Sequence, residues 1–329
     1  MSKGTGVRVL AVLAVFGLLT AACGGGGGGG GGSGKQISGL QILVGTAPGG
    51  GFDQTARTSA QVMEDANLAR NVQVQNIPGA GNTVALQRLV NKKGDGKVIQ
   101  MMGLGLVGGV YTNKSKATLD DTTPIARLTQ DSEVVVVKQD SPYKDLKSLV
   151  DAWKANPGKL PVGGGSSPGG PDHLAPMLMA KAVGLEPKQV NYVSYEGGGE
   201  LLAALLGGEI AFGVTGPSEV TDQIKAGKAR ALGVTSAERV PSVDAPTLKE
   251  AGVDLEFTNW RGWVAPGGLS DGDKQALLDL ADKMHASQQW KDAVAKNGWI
   301  DAYIAGDEYG SFLKAEDQRV GDVLTSLGL

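Results

Sequence analysis

The chain has 329 residues, 41% hydrophobic and 20% charged, with 31 basic against 34 acidic residues for a net charge of −3. That length suffices for two compact lobes with apolar cores, and the composition is that of an ordinary globule. The acidic balance excludes the basic footprint that nucleic-acid binding requires, so no nucleic-acid partner is expected.

The first residues read as an export signal. Lys3 and Arg8 form a short basic region, Val9 to Leu19 an apolar run, and Leu19-Thr20-Ala21-Ala22-Cys23 a small-residue cleavage site ending in cysteine. Cys23 is the only cysteine, which leaves no disulfide framework and no thiolate metal site. It is followed by Gly24 to Gly32, a run that packs no core and reads as a flexible tether. The expectation is a signal peptide at 1–22, then a lipidated Cys23 with a glycine tether at 23–36. The globule would then hang from the outer face of a membrane. Losing Lys3 and Arg8 leaves 29 basic against 34 acidic residues, a net of −5. A bound anion must therefore be held by local dipoles.

From Leu40 onward, short apolar runs alternate with amphipathic stretches. Strands are predicted over Leu40–Val44, Val72–Gln75, Val98–Met102, Glu133–Lys138, Val190–Val193, Ile210–Val214 and Ala231–Thr235. Helices are predicted over Asp53–Ala66, Leu146–Ala155, Leu174–Val183 and Leu201–Leu206, followed by Asp271–Ala286, Gln288–Asn297 and Asp307–Leu324. This alternation points to an α/β fold with largely parallel sheets, and near-continuous apolar strands suit burial on both faces. Two lobes are expected, one from 37–137 plus 236–329 and the other from 138–235.

Glycine-rich turns recur between these elements. The first, Thr46 to Arg57, joins a strand to a helix and points free backbone N–H groups at one place, a natural anion site. Gly51 is expected to need a positive φ, and Asp53 to cap the helix. Further turns lie at Pro78–Thr83, Gly103–Gly109 with Gly105 at its centre, Gly163–His173, Glu196–Glu200 and Gly213–Ser218. Six such turns from two lobes resemble the walls of a binding site.

Two motifs point elsewhere. Gly103-x-Gly105-x-x-Gly108 matches a dinucleotide fingerprint, but Gly109 to Asp121 shows no helical periodicity and no acid closes the following strand. Gly165-Ser166-Ser167-Pro168-Gly169 matches a hydrolase elbow, yet Pro168 has no N–H to supply to an oxyanion hole. An exported serine hydrolase remains an alternative, but no enzyme activity is expected. Metal-ligand spacings are absent, and no cofactor is expected. The Trp260-Arg261 pair could wall a pocket and clamp a carboxylate, or could stabilise a hinge strand.

The chain from about Gln41 to Leu324 resembles the substrate-binding proteins of tripartite tricarboxylate transporters, the TctC or Bug family of extracytoplasmic solute receptors. The resemblance rests on A-P-G-G-G-F-D at Ala47–Asp53, N-I-P-G-A-G-N at Asn76–Asn82, T-P-I-A at Thr123–Ala126 and A-N-P-G-K-L at Ala155–Leu160. It continues with G-G-G-S-S-P-G-G-P-D-H-L-A at Gly163–Ala175, Y-E-G-G-G-E at Tyr195–Glu200 and I-K-A-G-K-A-R-A-L-G-V-T-S at Ile224–Ser236. Departures are the long Gly163–Asp172 loop and Val214-Thr215 where many relatives carry an aspartate.

The resemblance implies a two-lobed periplasmic-binding-protein type II fold with two crossing hinge strands, closing on a small carboxylate. Gly50, Gly51, Phe52, Asp53 and Asn82 would face Ser166, Ser167 and His173, with Tyr195 and Thr215 nearby. Gly105, Trp260 and Arg261 complete the expected ligand-binding set. The implied partners are a large and a small membrane subunit, with the receptor acting as a monomer. A receptor feeding a sensor kinase or an ABC-type permease is the alternative within the same class.

Overall fold

The computed structural model describes residues 36–195 and 197–329; the expected export signal, Cys23 and all but the last residue of the expected tether lie outside them. The described chain first lays down β1 (Ile37–Ser38), β2 (Gln41–Val44), α1 (Gly51–Asp65), β3 (Ala69–Arg70), β4 (Gln73–Asn76) and α2 (Thr83–Val90). β5 (Val98–Gly103), α3 (Leu104–Thr112) and β6 (Thr122–Ser132) follow. It then crosses into a second region with β7 (Val134–Lys138), α4 (Leu146–Ala155), β8 (Val162–Gly164), α5 (Pro171–Ala182) and β9 (Tyr192–Ser194). That region continues through α6 (Gly198–Gly207), β10 (Phe212–Thr215), α7 (Pro217–Lys225) and β11 (Ala229–Val234). The return brings β12 (Thr258–Pro266), α8 (Asp271–Ala286), α9 (Gln288–Asn297), β13 (Ile300–Ala305) and α10 (Gly306–Leu327).

Two large sheets result, one per lobe, beside a two-stranded pairing of β1 with β3. The first has the order β13-β6-β12-β5-β2-β4 and the second β11-β7-β10-β8-β9. The expected parallel pairing holds for β4, β2 and β5 in one sheet and for β10, β8 and β9 in the other. The other half of each sheet is antiparallel, because β6 and β12 pair with each other, β5 pairs β12, and β7 lies between β10 and β11. Apolar runs behave as their composition dictates: Ile42, Leu43 and Val44 are fully buried, as are Val134 to Val137, and each sheet is covered on both faces. Trp153 of α4 is fully buried edge-on to Phe212 at 5.2 Å, and a buried ring pair of this kind anchors the second lobe's core.

The lobes exchange at one knot. Glu133 donates its N–H to the Thr235 hydroxyl (2.8 Å), and that hydroxyl donates to the Phe257 carbonyl (2.7 Å). Backbone bonds from Thr235 to Glu133 and from Phe257 to Thr235 tie the same three passes together. Sheet membership puts Val134–Lys138 in the second lobe, and Val243 and Ala245 lie in the core beneath its sheet. Val243, Ala245 and Leu248 thus pack with the second lobe, whereas the sequence boundaries assign them to the first. Tertiary burial, which leaves no mark on local composition, decides this.

Candidate functional site

The glycine turns after β2, β5, β8, β9 and β10 each begin a helix, and those helices share a feature of their starts. The N-cap residues of α1, α3, α5, α6 and α7 are Gly50, Gly103, Gly170, Gly197 and Gly216, and that of α2 is Asn82; none makes a side-chain capping bond. By contrast Asp145, Ser270 and Ser287 cap α4, α8 and α9 with their side chains. α10, starting after Ala305, also lacks a side-chain cap. Helix starts without a capping oxygen keep their N–H groups available to a ligand or to water, with the positive end of the helix dipole behind them.

The uncapped starts converge. A methyl group placed on Gly103 would lie 2.9 Å from the Phe52 ring, and one on Gly105 would reach Asn82, Phe52 and Pro171 at 3.7 to 3.9 Å. Those contacts bring α1, α2 and α3 of the first lobe to the start of α5 in the second. On Gly165 a methyl would strike Gly197 and Gly198, and on Gly198 it would strike the Glu219 carboxylate, so α6 and α7 join the same group. One contact between lobes is backbone to backbone: a Cβ on Gly108 would sit 1.8 Å from the Gly169 carbonyl oxygen. Gly169 has φ +89°, a conformation glycine adopts without strain.

Individual side chains fall into three sets. Gly50, Gly51, Phe52, Asn82, Gly105, Ser166, His173, Thr215 and Arg261 take part in this convergence. Gly51 does so for a different reason from the one expected, since its φ is not positive; a Cβ there would lie 2.8 Å from Arg261 Nη2. Arg261 is 8% exposed and pairs with Asp131 at 2.7 Å. Burial raises the Asp131 pKa against the opposing pull of that guanidinium.

Asp53 stands behind the turn. It is the third residue of α1 and not the N-cap, and its buried carboxylate accepts from Gly49 N–H (2.8 Å), Asn76 Nδ2 (2.9 Å) and Arg57 Nε (3.0 Å). Burial alone would raise its pKa, but the bonds from Arg57, Gly49 and Asn76 outweigh it and hold the carboxyl below its ordinary value. Asp53→Ala is expected to cost about 2–3 kcal/mol in urea unfolding, the scale of lost bonds to a buried charge. A loss under about 0.5 kcal/mol would remove this role.

Three expected residues lie elsewhere. Trp260 is fully buried, donates Nε1–H to Glu316 (2.8 Å) and packs edge-on against Phe312, because alternation along β12 turns it away from Arg261. Tyr195 packs with Leu201 and Ile210 beside Gly163, on the face of the sheet opposite Asp172 and Tyr192 beside Gly164. Ser167 is exposed, with its carbonyl bonded to Gly170 N–H.

The residue missed on that side is Tyr192. It sits edge-on to His173 at 4.8 Å and donates its hydroxyl to the Ser166 carbonyl at 2.7 Å. His173 Nδ1 accepts from Gly169 N–H (3.1 Å), which places the imidazole proton on Nε2, and burial lowers its pKa to about 4. Asp172, also missed, accepts from Gly165 N–H (2.7 Å) and Ser166 Oγ (2.8 Å). Burial and the nearby Glu219 charge raise its pKa to about 6, against the opposing bonds from Ser166, Gly165 and Thr215. Thr215 donates its hydroxyl to Glu219. Two surface hollows, of 390 Å³ beside Leu206 and Lys228 and of 330 Å³ beside Leu146 and Arg239, share none of these residues.

A family model described as "Tripartite tricarboxylate transporter family receptor" matches residues 55–329. The UPF0065 protein in the gbd 5′ region of Cupriavidus necator is 30% identical over 296 residues, covering 88% of each chain. A TctC solute binding protein from Polaromonas superposes with a TM-score of 0.73 at 26% identity, over 88% of this chain and 99% of that one. MatC from Rhodopseudomonas palustris with bound malate has the same fold, with a TM-score of 0.73 at 22% identity over 87% of this chain and 99% of that one. These likenesses show that the chain shares the overall fold of those proteins. The chain belongs to the tripartite tricarboxylate transporter receptor family, the TctC or Bug solute-binding proteins, which are receptors and not enzymes.

Proposed function

We propose that this protein is an extracytoplasmic receptor, tethered through Cys23, that captures a small carboxylate between its lobes and delivers it to the membrane subunits of a tripartite transporter. The observation that carries the reading is the convergence of six helix starts without side-chain caps, drawn from both lobes. Backbone dipoles of this kind hold an anion on an acidic protein without a cationic patch. The malate bound by the R. palustris relative fits the same ligand size and charge.

Thermal unfolding against malate, succinate, adipate and citrate tests the reading. A ligand at a hundredfold excess over Kd is expected to add about 2.7 kcal/mol of stability. A flat melting temperature across all four acids, and with aspartate and glutamate added to the panel, would overturn it.

A further inference from the structure

The chain as a whole is acidic, but one face of the second lobe is not. The two surface hollows flank β11, the edge strand of its sheet. The 390 Å³ hollow is lined by Lys138 and Lys228 with a single acid, Asp140. The 330 Å³ hollow is lined by Lys144, Lys147 and Arg239 with Asp145 and Glu250. Arg230 joins the two: its guanidinium donates to the Gln139 carbonyl (2.8 Å) at the first hollow and to the Tyr143 carbonyl (3.3 Å) beside the second. Six cations thus share this face with three acids, and one of those, Asp145, is committed to the Ser148 N–H at the start of α4.

Three of the cations have carboxylate partners at the surface, in Lys138–Asp140 (3.3 Å), Lys147–Asp151 (2.5 Å) and Arg239–Glu250 (2.8 Å). Exposed pairs of this kind are weak and give way to a stronger anion. Among the described residues no carboxylate pairs with Lys144, Lys228 or Arg230; Lys144 and Arg230 donate to backbone carbonyls. The face therefore carries positive charge that the chain does not neutralise. Stable protein interfaces are depleted in lysine and centre on aromatic or apolar anchors. Here four lysines line the hollows, and none of the exposed large apolar side chains among the described residues, Val84, Ile300 and Leu329, lines either one. That chemistry fits a dense, laterally mobile array of anions, the phosphate headgroups of a bilayer, better than a folded partner.

We propose that this basic face of the second lobe rests on an anionic lipid surface and orients the receptor there. The orientation rests on the tether proposed above; the headgroup contact does not. A glycine chain over 23–36 has an end-to-end distance of about 20 Å, so it keeps the globule near the bilayer without fixing which side faces it. Attraction between surface charges reaches only about 8 Å at physiological salt, so the lysines act only where they meet the headgroups. The tether leads into β1, which pairs with β3 beside the first lobe's sheet, whereas the basic face belongs to the second. Two attachments on different lobes then set how the receptor lies on the membrane, where one flexible attachment would not.

Co-sedimentation with vesicles tests this, using residues 24–329, which contain both sheets and carry no lipid anchor. Phosphatidylcholine vesicles with about one third phosphatidylglycerol are expected to bind the chain about tenfold or more tightly than phosphatidylcholine alone at low salt, and the difference should vanish near about 0.5 M salt. Lys144→Gln combined with Lys228→Gln, both at exposed positions, should weaken that binding by about 30-fold, at about fivefold per lysine near such a surface. Lys97→Gln combined with Lys283→Gln makes the same charge change at exposed positions of the first lobe and should alter binding by about twofold or less. No preference for the anionic vesicles would overturn the proposal, and an acidic protein segment as the occupant of this face would give that result. An equal loss in both double variants would overturn it too. Either result leaves the carboxylate receptor standing, because the thermal shift with acids reads that function on the same chain.

Discussion

Gly108→Ala is expected to weaken ligand binding by about 30- to 100-fold while leaving the ligand-free protein as stable as before or more so. The two effects separate for a physical reason. Any Cβ at this position in α3 falls 1.8 Å from the Gly169 carbonyl oxygen, far inside contact distance, and the obstacle is backbone on the opposite lobe. α3 and the loop before α5 must therefore part, which biases the chain against the form in which the lobes touch. A bias of about 2–3 kcal/mol reduces the competent fraction, and with it the apparent affinity, by the factor given. Within the helix itself, alanine in place of glycine gains up to about 1 kcal/mol, so the substitution does not act by damaging the fold. Calorimetric titration beside thermal unfolding reads both quantities. Unchanged affinity would exclude the Gly108–Gly169 contact from the bound state.

The second large effect is in pH, where Asp172 and His173 oppose each other. The folded chain raises Asp172 from 3.8 to about 6, so between those values the native state holds a proton that the unfolded chain releases, and stability falls as pH rises. His173 is lowered from 6.5 to about 4, so there the unfolded chain binds the extra proton and stability rises with pH through that interval. Wild type is expected to show these slopes nearly cancelling. Relative to wild type, Asp172→Asn should gain about 2–3 kcal/mol between pH 4 and 6, and His173→Asn should lose about as much between pH 4 and 6.5. The groups facing Asp172 are Glu219 from α7, Thr215 from β10, Ser166 before α5, Tyr192 from β9 and Glu133 at the crossing. Parallel profiles for both variants in urea unfolding would show that the two groups do not titrate as this geometry requires.

Much of the fold was legible because periodicity follows burial. β2, β5 and β7 are buried on both faces and read as continuous apolar runs, and α4, α8 and α9 were placed with the bounds found in the structure. β6 and β12 were not placed as sheet strands. Thr122–Ser132 mixes polar and apolar residues, and the register shifts where β6 meets β12 and β13 break the alternation. α3 was missed for the opposite reason. Leu104, Leu106, Val107, Gly108 and Gly109 are all buried, so no polar face marks the helix, and its glycines serve close approach to Gly81 and Gly169. A helix thus begins at Leu104 inside the glycine fingerprint, although Gly109 to Asp121 shows no helical periodicity in the sequence.

The glycine turns were legible in the candidate site because each is local. The acids were not. Asp172 and Glu219 come from two helix starts far apart in sequence, and only the second lobe's topology brings them to either side of Gly165 and Gly198. Asp172 stood inside a quoted motif, and Glu219 stands three residues after a glycine N-cap, a position where an acid can compensate for an absent cap. Trp260 and Arg261, adjacent in the chain, were expected to act together. Strand alternation assigns one to the core and the other to the cleft.

Capture by lobe closure is tested most directly by the distance between lobes. Spin labels at Gln87 on α2 and Lys181 on α5, both exposed, report it on a Cys23→Ser background. The acid that gives the largest thermal shift is expected to shorten and narrow the distance distribution in wild type and to leave it broad in Gly108→Ala. An unchanged distribution in wild type, at a ligand concentration that saturates the thermal shift, would contradict capture by closure.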